Sequence, residues 1–417
     1  MSTPKLDLTF VRTQFPAFAE AALQGRGFFE NAGGSYACAP VIDRLTRFYR
    51  QRKVQPYGVF PASCAGGEEM DEARVRLAAL LGVETDELSF GPSTSANSYV
   101  LAQAFRRVLE PGDAIVVTDQ DHEANSGVWR RLAEDGIELR EWRIDAKTGH
   151  LDPAALKALL ADGRVRLVCF PHCSNVIGEI NPVAEIVALV HEAGAVCCVD
   201  GVSYAPHGLP DVGALGADIY LFSAYKTYGP HQGIMVVRRP LAERLPNQAH
   251  WFNAEPLWKR FVPAGPDHAQ VAACCGMADY VDALHDHHFE RADDPRQRGR
   301  RVHDLMRGQE IALLQPLLTF LEHHPRLRLL GPSDATRRAP TIALALDRPA
   351  GPVAQALAAR RLDCGAGHFY AQRPLAAMGV DPEQGVLRLS FVHYTSAEDV
   401  ARLIGALDEA LEASLVA

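Results

Sequence analysis

The chain has 417 residues, of which 47% are hydrophobic and 22% are charged, a composition that predicts a globular protein of two domains with a large core. Acidic and basic residues are interspersed and the formal charge is −9. This distribution excludes a basic nucleic-acid-binding stripe and a polybasic membrane patch.

The N-terminal quarter of the chain is predicted to be mainly helical. Residues 1–27 indicate a polar, partly helical lead-in, and residues 28–34 a short strand that enters a glycine turn. Helices are expected at residues 40–52 and 69–81, the second of which ends at a glycine. Between them, residues 55–67 are rich in Pro, Gly and Ser and predict a loop.

A turn rich in serine and threonine follows the next predicted strand. Residues 92–97 read Pro-Ser-Thr-Ser-Ala-Asn, and an apolar helical run extends from Ser98 to Leu109. The N–H groups and hydroxyls at such a helix start can bind an anion. An ordinary helix cap uses the same residue types, so the turn alone leaves both interpretations open.

Strands and helices then alternate as far as residue 200. Strands are predicted at residues 114–118, 139–144, 166–170 and 196–200. This alternation predicts an α/β fold with a mostly parallel central sheet covered by helices. Asn175 follows one strand and Asp200 ends another, and ligands of open α/β sheets bind at the carboxyl ends of the strands.

One lysine lies in the loop between two further apolar runs. The loop from Ser223 to Gly233 reads Ser-Ala-Tyr-Lys-Thr-Tyr-Gly-Pro-His-Gln-Gly. Lys226 can be an amine nucleophile for a carbonyl, whereas an isolated lysine is ordinarily a solvated side chain. Together with Asp200 it suits pyridoxal phosphate (PLP), since a lysine holds this cofactor as a Schiff base and an acid keeps its ring nitrogen protonated.

The remainder of the chain predicts a second, smaller α+β domain. Helices are expected at residues 300–323 and 352–361, and strands at 341–345 and 386–391. The expected organisation is therefore a lead-in at 1–27, a large PLP-binding domain at 28–289 and a small C-terminal domain at 290–417. The histidines His285, His287 and His288 point in different directions on a helix, so we assign no metal site.

The lysine loop and the segment Asp-Gly-Val-Ser-Tyr-Ala-Pro-His from Asp200 to His207 resemble the class V aminotransferase family. The cysteine-desulfurase-like branch is the most similar. The resemblance runs from about Phe29 to about Ile404 and implies the aspartate-aminotransferase-like fold, PLP fold type I. It is specific for fold and cofactor, and much less specific for the reaction.

The resemblance implies a role for each residue that matches a family motif. Lys226 corresponds to the Schiff-base lysine, and Asp200 to the acid at the ring nitrogen. His122, in a His-Glu-Ala-Asn segment, corresponds to the catalytic imidazole that stacks on the ring. The further cofactor-binding residues implied are Ser93, Thr94 and Ser95 at the phosphate, Asn175 and Ser203 near the phenolic oxygen, and Ser223.

The family pattern also implies where the substrate binds. Arg388 matches the arginine that grips the substrate α-carboxylate, a task that suits a planar guanidinium. The alternative is a strand arginine paired with a surface acid. The remaining substrate-binding residues implied are Asn31, Ala32, Gly33 and Tyr370.

Departures from the family pattern concern the reaction and the subunit contact. Tyr370 stands where the desulfurases carry the cysteine that accepts sulfur as a persulfide, and a phenol cannot form one. Cys364 lies six residues earlier and aligns with an apolar strand position. Tyr225 replaces a histidine, and the Gly-Thr pair with which relatives reach the partner subunit's phosphate is missing from residues 262–268.

We therefore expect an enzyme that acts on an amino acid through a Lys226 Schiff base and abstraction of the Cα hydrogen. A cysteine-desulfurase-like lyase, which cleaves a C–S bond by β-elimination, is the first hypothesis. A class V aminotransferase or an epimerase is the alternative, and a non-catalytic PLP-binding protein is the least favoured.

Expected partners are a small amino-acid substrate and a second copy of the chain, in a homodimer with active sites near the interface. No signal-peptide core or membrane-length apolar run is present in the sequence, which predicts a cytoplasmic protein with no membrane or nucleic-acid partner. The nine cysteines are predicted to be mostly buried thiols.

Overall fold

A computed structural model describes residues 4–290 and 293–412. Residues 1–3 of the predicted lead-in, and 291–292 and 413–417 of the predicted C-terminal domain, lie outside the described residues. The α-helices are α1 (Leu8–Thr13), α2 (Ala39–Gln51), α3 (Pro61–Leu81), α4 (Thr94–Arg106), α5 (Glu123–Arg130), α6 (Pro153–Leu160), α7 (Val183–Glu192), α8 (Val212–Leu215), α9 (Arg239–Arg244), α10 (His268–Ala273), α11 (Cys275–His288), α12 (Pro295–His323), α13 (Ala350–Ala359), α14 (Gln372–Ala377) and α15 (Ala397–Glu412). The strands are β1 (Gly27–Phe28), β2 (Leu88–Gly91), β3 (Ala114–Thr118), β4 (Glu138–Trp142), β5 (Val165–Pro171), β6 (Val196–Asp200), β7 (Ile219–Ser223), β8 (Gly233–Val237), β9 (Leu327–Leu330), β10 (Thr341–Leu346), β11 (Leu362–Asp363), β12 (Gly365–Gly367) and β13 (Val386–Ser390).

A seven-stranded central sheet has the order β2-β8-β7-β6-β5-β3-β4. Strand β8 is antiparallel to both of its neighbours, and the other pairings are parallel. The predicted α/β fold with a mostly parallel sheet is therefore confirmed. Because β6 and β7 are parallel neighbours, Asp200 and the loop after Ser223 lie at the same edge of the sheet.

The central strands are apolar along their whole length because helices cover both faces of the sheet. In β3, Val116 packs in one core cluster while Ile115 and Val117 pack in another. The alternation follows from the two-residue period of a strand. Helices α4 and α5 contribute to the second cluster, and α7, α10 and α11 contribute to the first.

The C-terminal strands form a separate antiparallel sheet in the order β12-β13-β10-β9. Its apolar face packs with α12, α13 and α15 in a third core cluster, which supports a separate C-terminal domain. The boundary at residue 290 stays a prediction. Strand β1 pairs in parallel with β11, so residues 27–28 lie against residues 362–363.

The predicted loop at residues 55–67 is too long, because α3 already begins at Pro61. Proline suits the first turn of a helix, where its missing N–H would have no partner. Gly67 lies within α3, and a Cβ there would approach the Tyr57 ring to 2.6 Å. The glycine therefore permits close packing and does not break the helix. In the described ranges, no helix has the length and apolar character needed to cross a membrane.

Candidate active site

A cavity of about 340 Å³, called the inner cavity here, opens at the carboxyl ends of the central strands. It brings together all the residues that were predicted to bind the cofactor: Ser93, Thr94, Ser95, His122, Asn175, Asp200, Ser203, Ser223 and Lys226. Their individual roles toward the cofactor stay predictions.

Polar donors are concentrated at one end of the inner cavity, where α4 begins. Ser93 caps the helix, since its Oγ accepts the Ala96 N–H at 3.1 Å. The hydroxyls of Thr94 and Ser223 lie 2.8 Å apart. Strand β8 passes close by: a Cβ on Gly233 would lie 2.4 Å from the carbonyl carbon of Ser93. The N–H groups and hydroxyls of this turn can bind a phosphate.

Two buried carboxyl groups, Asp200 and Asp121, line the same cavity. Burial raises the pKa of Asp200 to about 6, although the Val202 N–H and the charge of Lys226 oppose the rise. Burial and the charge of Asp200 also raise the pKa of Asp121. One Asp121 oxygen accepts the Asn125 amide, and the other is buried with no hydrogen-bond partner among the described residues. The two carboxyl groups, Asp121 and Asp200, can therefore hold a proton at the place where a basic ring nitrogen would bind.

Lys226 ends a short 3-10 turn directly after β7, and only 8% of the residue is exposed. Burial, followed by the charge of Arg388, lowers the pKa of Lys226 to about 8. Its backbone carbonyl accepts the Ser35 hydroxyl at 2.7 Å, which fixes the turn. An amine with a pKa close to neutral can act as a nucleophile or as a base.

His122 caps α5, because its Nδ1 accepts the Ala124 N–H at 3.0 Å. Burial, with the charges of Lys226 and Arg388, lowers the pKa of His122 to about 3. The ring is therefore neutral and carries its proton on Nε2. A flat, neutral ring at this wall suits stacking on an aromatic cofactor.

A second cavity of about 560 Å³, the outer cavity, shares His122, Asn175 and Lys226 with the inner one. Of the predicted substrate-binding residues, Ala32, Gly33, Tyr370 and Arg388 line it. Asn31 lies beside it, with a buried side chain whose oxygen accepts the Tyr394 hydroxyl. The two cavities thus form one continuous site.

Arg388 is 3% exposed and is held on three sides. Nη2 donates to a Glu30 carboxylate oxygen at 2.6 Å, and Nη1 donates to the Asn175 carbonyl at 3.2 Å. The Phe369 ring covers the guanidinium, with its centroid 3.8 Å from Cζ. Nε has no hydrogen-bond partner among the described residues. Burial lowers the pKa of Arg388 and Glu30 raises it, so the side chain is a cation with a donor available for a carboxylate.

The loop that carries Tyr370 lies across the wall of the outer cavity. Tyr370 is 70% exposed, and its ring centroid is 5.5 Å from that of His122. Phe369 and Tyr370 have φ angles of 51° and 55°, a conformation that side chains rarely adopt. The Phe369 carbonyl accepts the Asn175 amide and the Tyr370 carbonyl accepts the Glu123 N–H, both at 2.9 Å. These bonds hold the strained loop in place.

The thiols closest to the site are poorly suited to nucleophilic chemistry. Among the described residues that line the outer cavity, none is a cysteine. Cys173 lines the inner cavity, where burial raises its pKa to about 12 and its Sγ donates to the Gly178 carbonyl. Burial also raises the pKa of Cys364 to about 12. Cys64 is exposed in α3 and contacts the Gly58 carbonyl.

The donor set of the inner cavity fits PLP. The hydroxyls and N–H groups of the α4 turn match the phosphate, the two aspartates match the ring nitrogen, and Lys226 matches the aldehyde. The buried Asp121 oxygen and the Asn175 Oδ1, which also lacks a hydrogen-bond partner within the described ranges, are polar atoms that a bound group could satisfy.

The cavity-lining residues that the sequence did not identify include Glu30, Asp121 and Arg131. Asp121 directly precedes His122 at a strand end, a signal that could have identified it. Glu30 precedes the predicted substrate turn but meets Arg388 only through the fold. Arg131 follows α5 and carries no recognisable motif.

Known proteins resemble the chain over nearly its whole length. The family described as aminotransferase class-V matches residues 27–250. The aminotransferase-like protein FGM3 of Gibberella zeae is 31% identical over 99% of this chain and 100% of its own. A cysteine desulfurase of Serratia proteamaculans is 31% identical over 95% of this chain and 96% of its own. The apo structure of cysteine desulfurase from Thermococcus onnurineus NA1 has a TM-score of 0.85 at 22% identity, covering 99% of this chain and 100% of that one.

The comparisons confirm PLP fold type I and the predicted resemblance to cysteine desulfurases. Members of this family use PLP, so the chain is a PLP-dependent enzyme with an amino-acid substrate. Its sequence and its fold together place it in the class-V aminotransferase family.

Proposed function

We propose that the enzyme is a lyase that removes a sulfur substituent from the β-carbon of an amino acid. The observation that carries the proposal is the wall of the outer cavity, where Tyr370 stands and the described lining residues include no cysteine. Sulfur that leaves Cβ is then released as a thiol or sulfide, because none of the described residues lining this cavity carries a thiol to receive it.

The proposed reaction uses residues that surround the two cavities. Arg388 orients the α-carboxylate, and the Lys226 amine removes the Cα proton. PLP, when bound, would supply an electron sink for that step, and Asp200 would be the residue that holds its ring nitrogen. The Cβ–S bond breaks with its electron pair on sulfur, and the Tyr370 hydroxyl donates the proton that completes the thiol. Water then hydrolyses the remaining fragment, so an S-substituted cysteine yields thiol, pyruvate and ammonium.

Product analysis with an S-substituted L-cysteine tests the proposal. Equal amounts of thiol and pyruvate, with the enzyme unchanged after many turnovers, are expected. A keto acid that retains the sulfur, formed once per active site unless an amino acceptor is supplied, would instead identify an aminotransferase. That second candidate is favoured by the name of the FGM3 relative. Loss of optical activity without other products would identify an epimerase.

We also propose that the active form is a homodimer. The apolar side chains of Tyr57, Val59 and Phe60 are exposed next to α3, and Trp251 and Phe252 are 86% and 62% exposed. The two segments lie together, since Tyr57 and the flanking residues His250 and Asn253 line one cavity. A second copy of the same surface would cover these side chains.

Light scattering during size-exclusion chromatography tests the homodimer. Phe60→Asp should convert the dimer to a monomer, whereas a wild-type mass of about 45.5 kDa would contradict the proposal. A cytoplasmic location remains a prediction.

A further inference from the structure

The outer cavity reaches beyond the groups that the proposed reaction uses. In addition to Arg388 and Tyr370, its lining includes Tyr99, Val128 and Arg131 on α4 and at the end of α5. Cysteine has no heavy atoms beyond its sulfur, so as a substrate it would occupy only the part of the outer cavity between Lys226, Arg388 and Tyr370. A volume of about 560 Å³ leaves room for a substrate with a longer side chain.

Arg131 is a cation without an opposing acid at this outer end. Its guanidinium lies 5.4 Å from the centroid of the Tyr99 ring, and among the described residues no carboxylate forms an ion pair with it. Its neighbour Arg130 is different, because it pairs with Glu141 at 2.6 Å. Because Arg131 has no such ion pair among the described residues, the N–H groups of its planar guanidinium can bind a ligand.

The other charges around the outer cavity are compensated. Glu30 pairs with Arg388, and Glu123 pairs with Arg373. Lys226 lies where the outer cavity joins the inner one, and its charge interacts with the buried Asp200. Among the described lining residues, Arg131 therefore leaves an excess positive charge at the outer end of the cavity. This charge favours the binding of an anionic group.

We propose that the substrate is an amino acid whose side chain ends in a carboxylate, and that Arg131 binds this carboxylate while Arg388 binds the α-carboxylate. The proposal rests on the proposed function for the reaction at Cβ, and it adds the chemical class of the substituent on sulfur. A guanidinium and a carboxylate form a planar, two-point contact, and the Tyr99 ring beside the arginine limits its motion.

The test measures binding without turnover. The holoenzyme is titrated by calorimetry with α-methyl-S-(2-carboxyethyl)-L-cysteine and with the matching carboxamide, which differs only in charge. Neither compound has a Cα hydrogen, so neither is consumed. The carboxylate should bind about fivefold or more tightly than the amide, and salt should reduce the difference.

Variants assign the preference to one residue. Arg131→Gln should abolish it. The control is Arg107→Gln, at an exposed arginine that follows α4 and does not line the cavity, and it should retain the preference. Arg131→Glu should reverse the preference, toward a probe that ends in an aminoethyl group. Equal binding of the two probes by the wild type, or a preference that survives Arg131→Gln, would overturn the proposal.

The reaction is measured separately with S-(2-carboxyethyl)-L-cysteine, which has the Cα hydrogen. If the carboxylate preference is found and no pyruvate is released, the lyase function fails and the binding role of Arg131 stands. If pyruvate is released and both probes bind equally, the binding role fails alone.

Discussion

One methyl group added at Gly233 should separate the strand β8 from the turn that is proposed to hold the cofactor phosphate. A Cβ at this position would lie 2.4 Å from the Ser93 carbonyl carbon and 2.7 Å from the Thr94 nitrogen. Carbon atoms in ordinary contact are about 3.5–4.0 Å apart, so the strand and the turn have to move apart by about 1 Å. Both neighbours are backbone atoms, which cannot rotate away.

The expected cost of Gly233→Ala follows from this displacement. Overpacking of a well-packed site costs about 1–3 kcal/mol. If the cost falls on the cofactor-bound state, PLP binds about 5- to 150-fold more weakly. The assay is a titration of the apoprotein with PLP, followed by absorbance, together with urea unfolding of the apoprotein.

A matched control is available in α12. Gly308→Ala adds the same methyl group where no heavy atom lies within 4 Å, and it should leave PLP affinity unchanged. Helix propensity favours alanine there by roughly 0.5–1 kcal/mol. Wild-type PLP affinity and wild-type stability in Gly233→Ala would refute the assignment of a close contact between β8 and the phosphate turn.

Three further predictions concern charged and polar groups of the site. The Lys226 pKa is about 8 in the folded chain against an ordinary value of 10.5, so between these pH values the unfolded chain retains a proton that the folded chain has lost, and the stability of the apoprotein should rise with pH. In urea unfolding at pH 7, Lys226→Met should therefore be more stable than the wild type by an amount on the order of 3 kcal/mol, and this difference should shrink toward pH 10. Arg388→Lys should raise KM roughly 10- to 100-fold through loss of the planar fork, with PLP affinity unchanged, and an unchanged KM would remove Arg388 from substrate binding. Tyr370→Phe should lower kcat for thiol release about tenfold or more with little effect on KM, because the proton donor to sulfur is lost; a normal kcat would exclude that role.

Much of the fold was accessible from sequence because the central strands are short apolar runs that end in polar residues. Strand β3 was predicted with the correct ends, since all five of its residues are buried and apolar or threonine. Asp200 and Ser223 end neighbouring parallel strands and Lys226 follows the second of them, so their convergence could be expected from a parallel sheet. The misjudged start of α3 has a different cause: Gly66 and Gly67 are local helix breakers whose place in the helix depends on packing with Phe48 and Tyr57.

The charge pairs of the site could not be predicted in the same way. Glu30 and Arg388 are 358 positions apart, and they meet because Glu30 forms a parallel bridge with Ser390, two residues after Arg388 in β13. Asp121 and Asp200 likewise become neighbours only when β3, β5 and β6 are arranged side by side. Such long-range contacts carry no local sequence pattern. The lowered pKa of Lys226 has the same origin, because it follows from burial in the folded chain and then from the charge of Arg388, while Asp200 and Glu30 oppose the shift.

The bridge between Glu30 and Ser390 brings the two ends of the chain together at the outer cavity, whereas the inner cavity is built from the middle of the chain. Every residue that lines the inner cavity lies between Ser93 and His231, within one continuous stretch of the chain. The residues proposed to bind the substrate carboxylate instead join positions 30–33 to Arg388, near opposite ends of the chain. Arg388 therefore leaves the ribosome long after His231, the last residue of the inner cavity. Substrate recognition as proposed needs a chain that is complete to this point, because both ends of the sequence contribute to it.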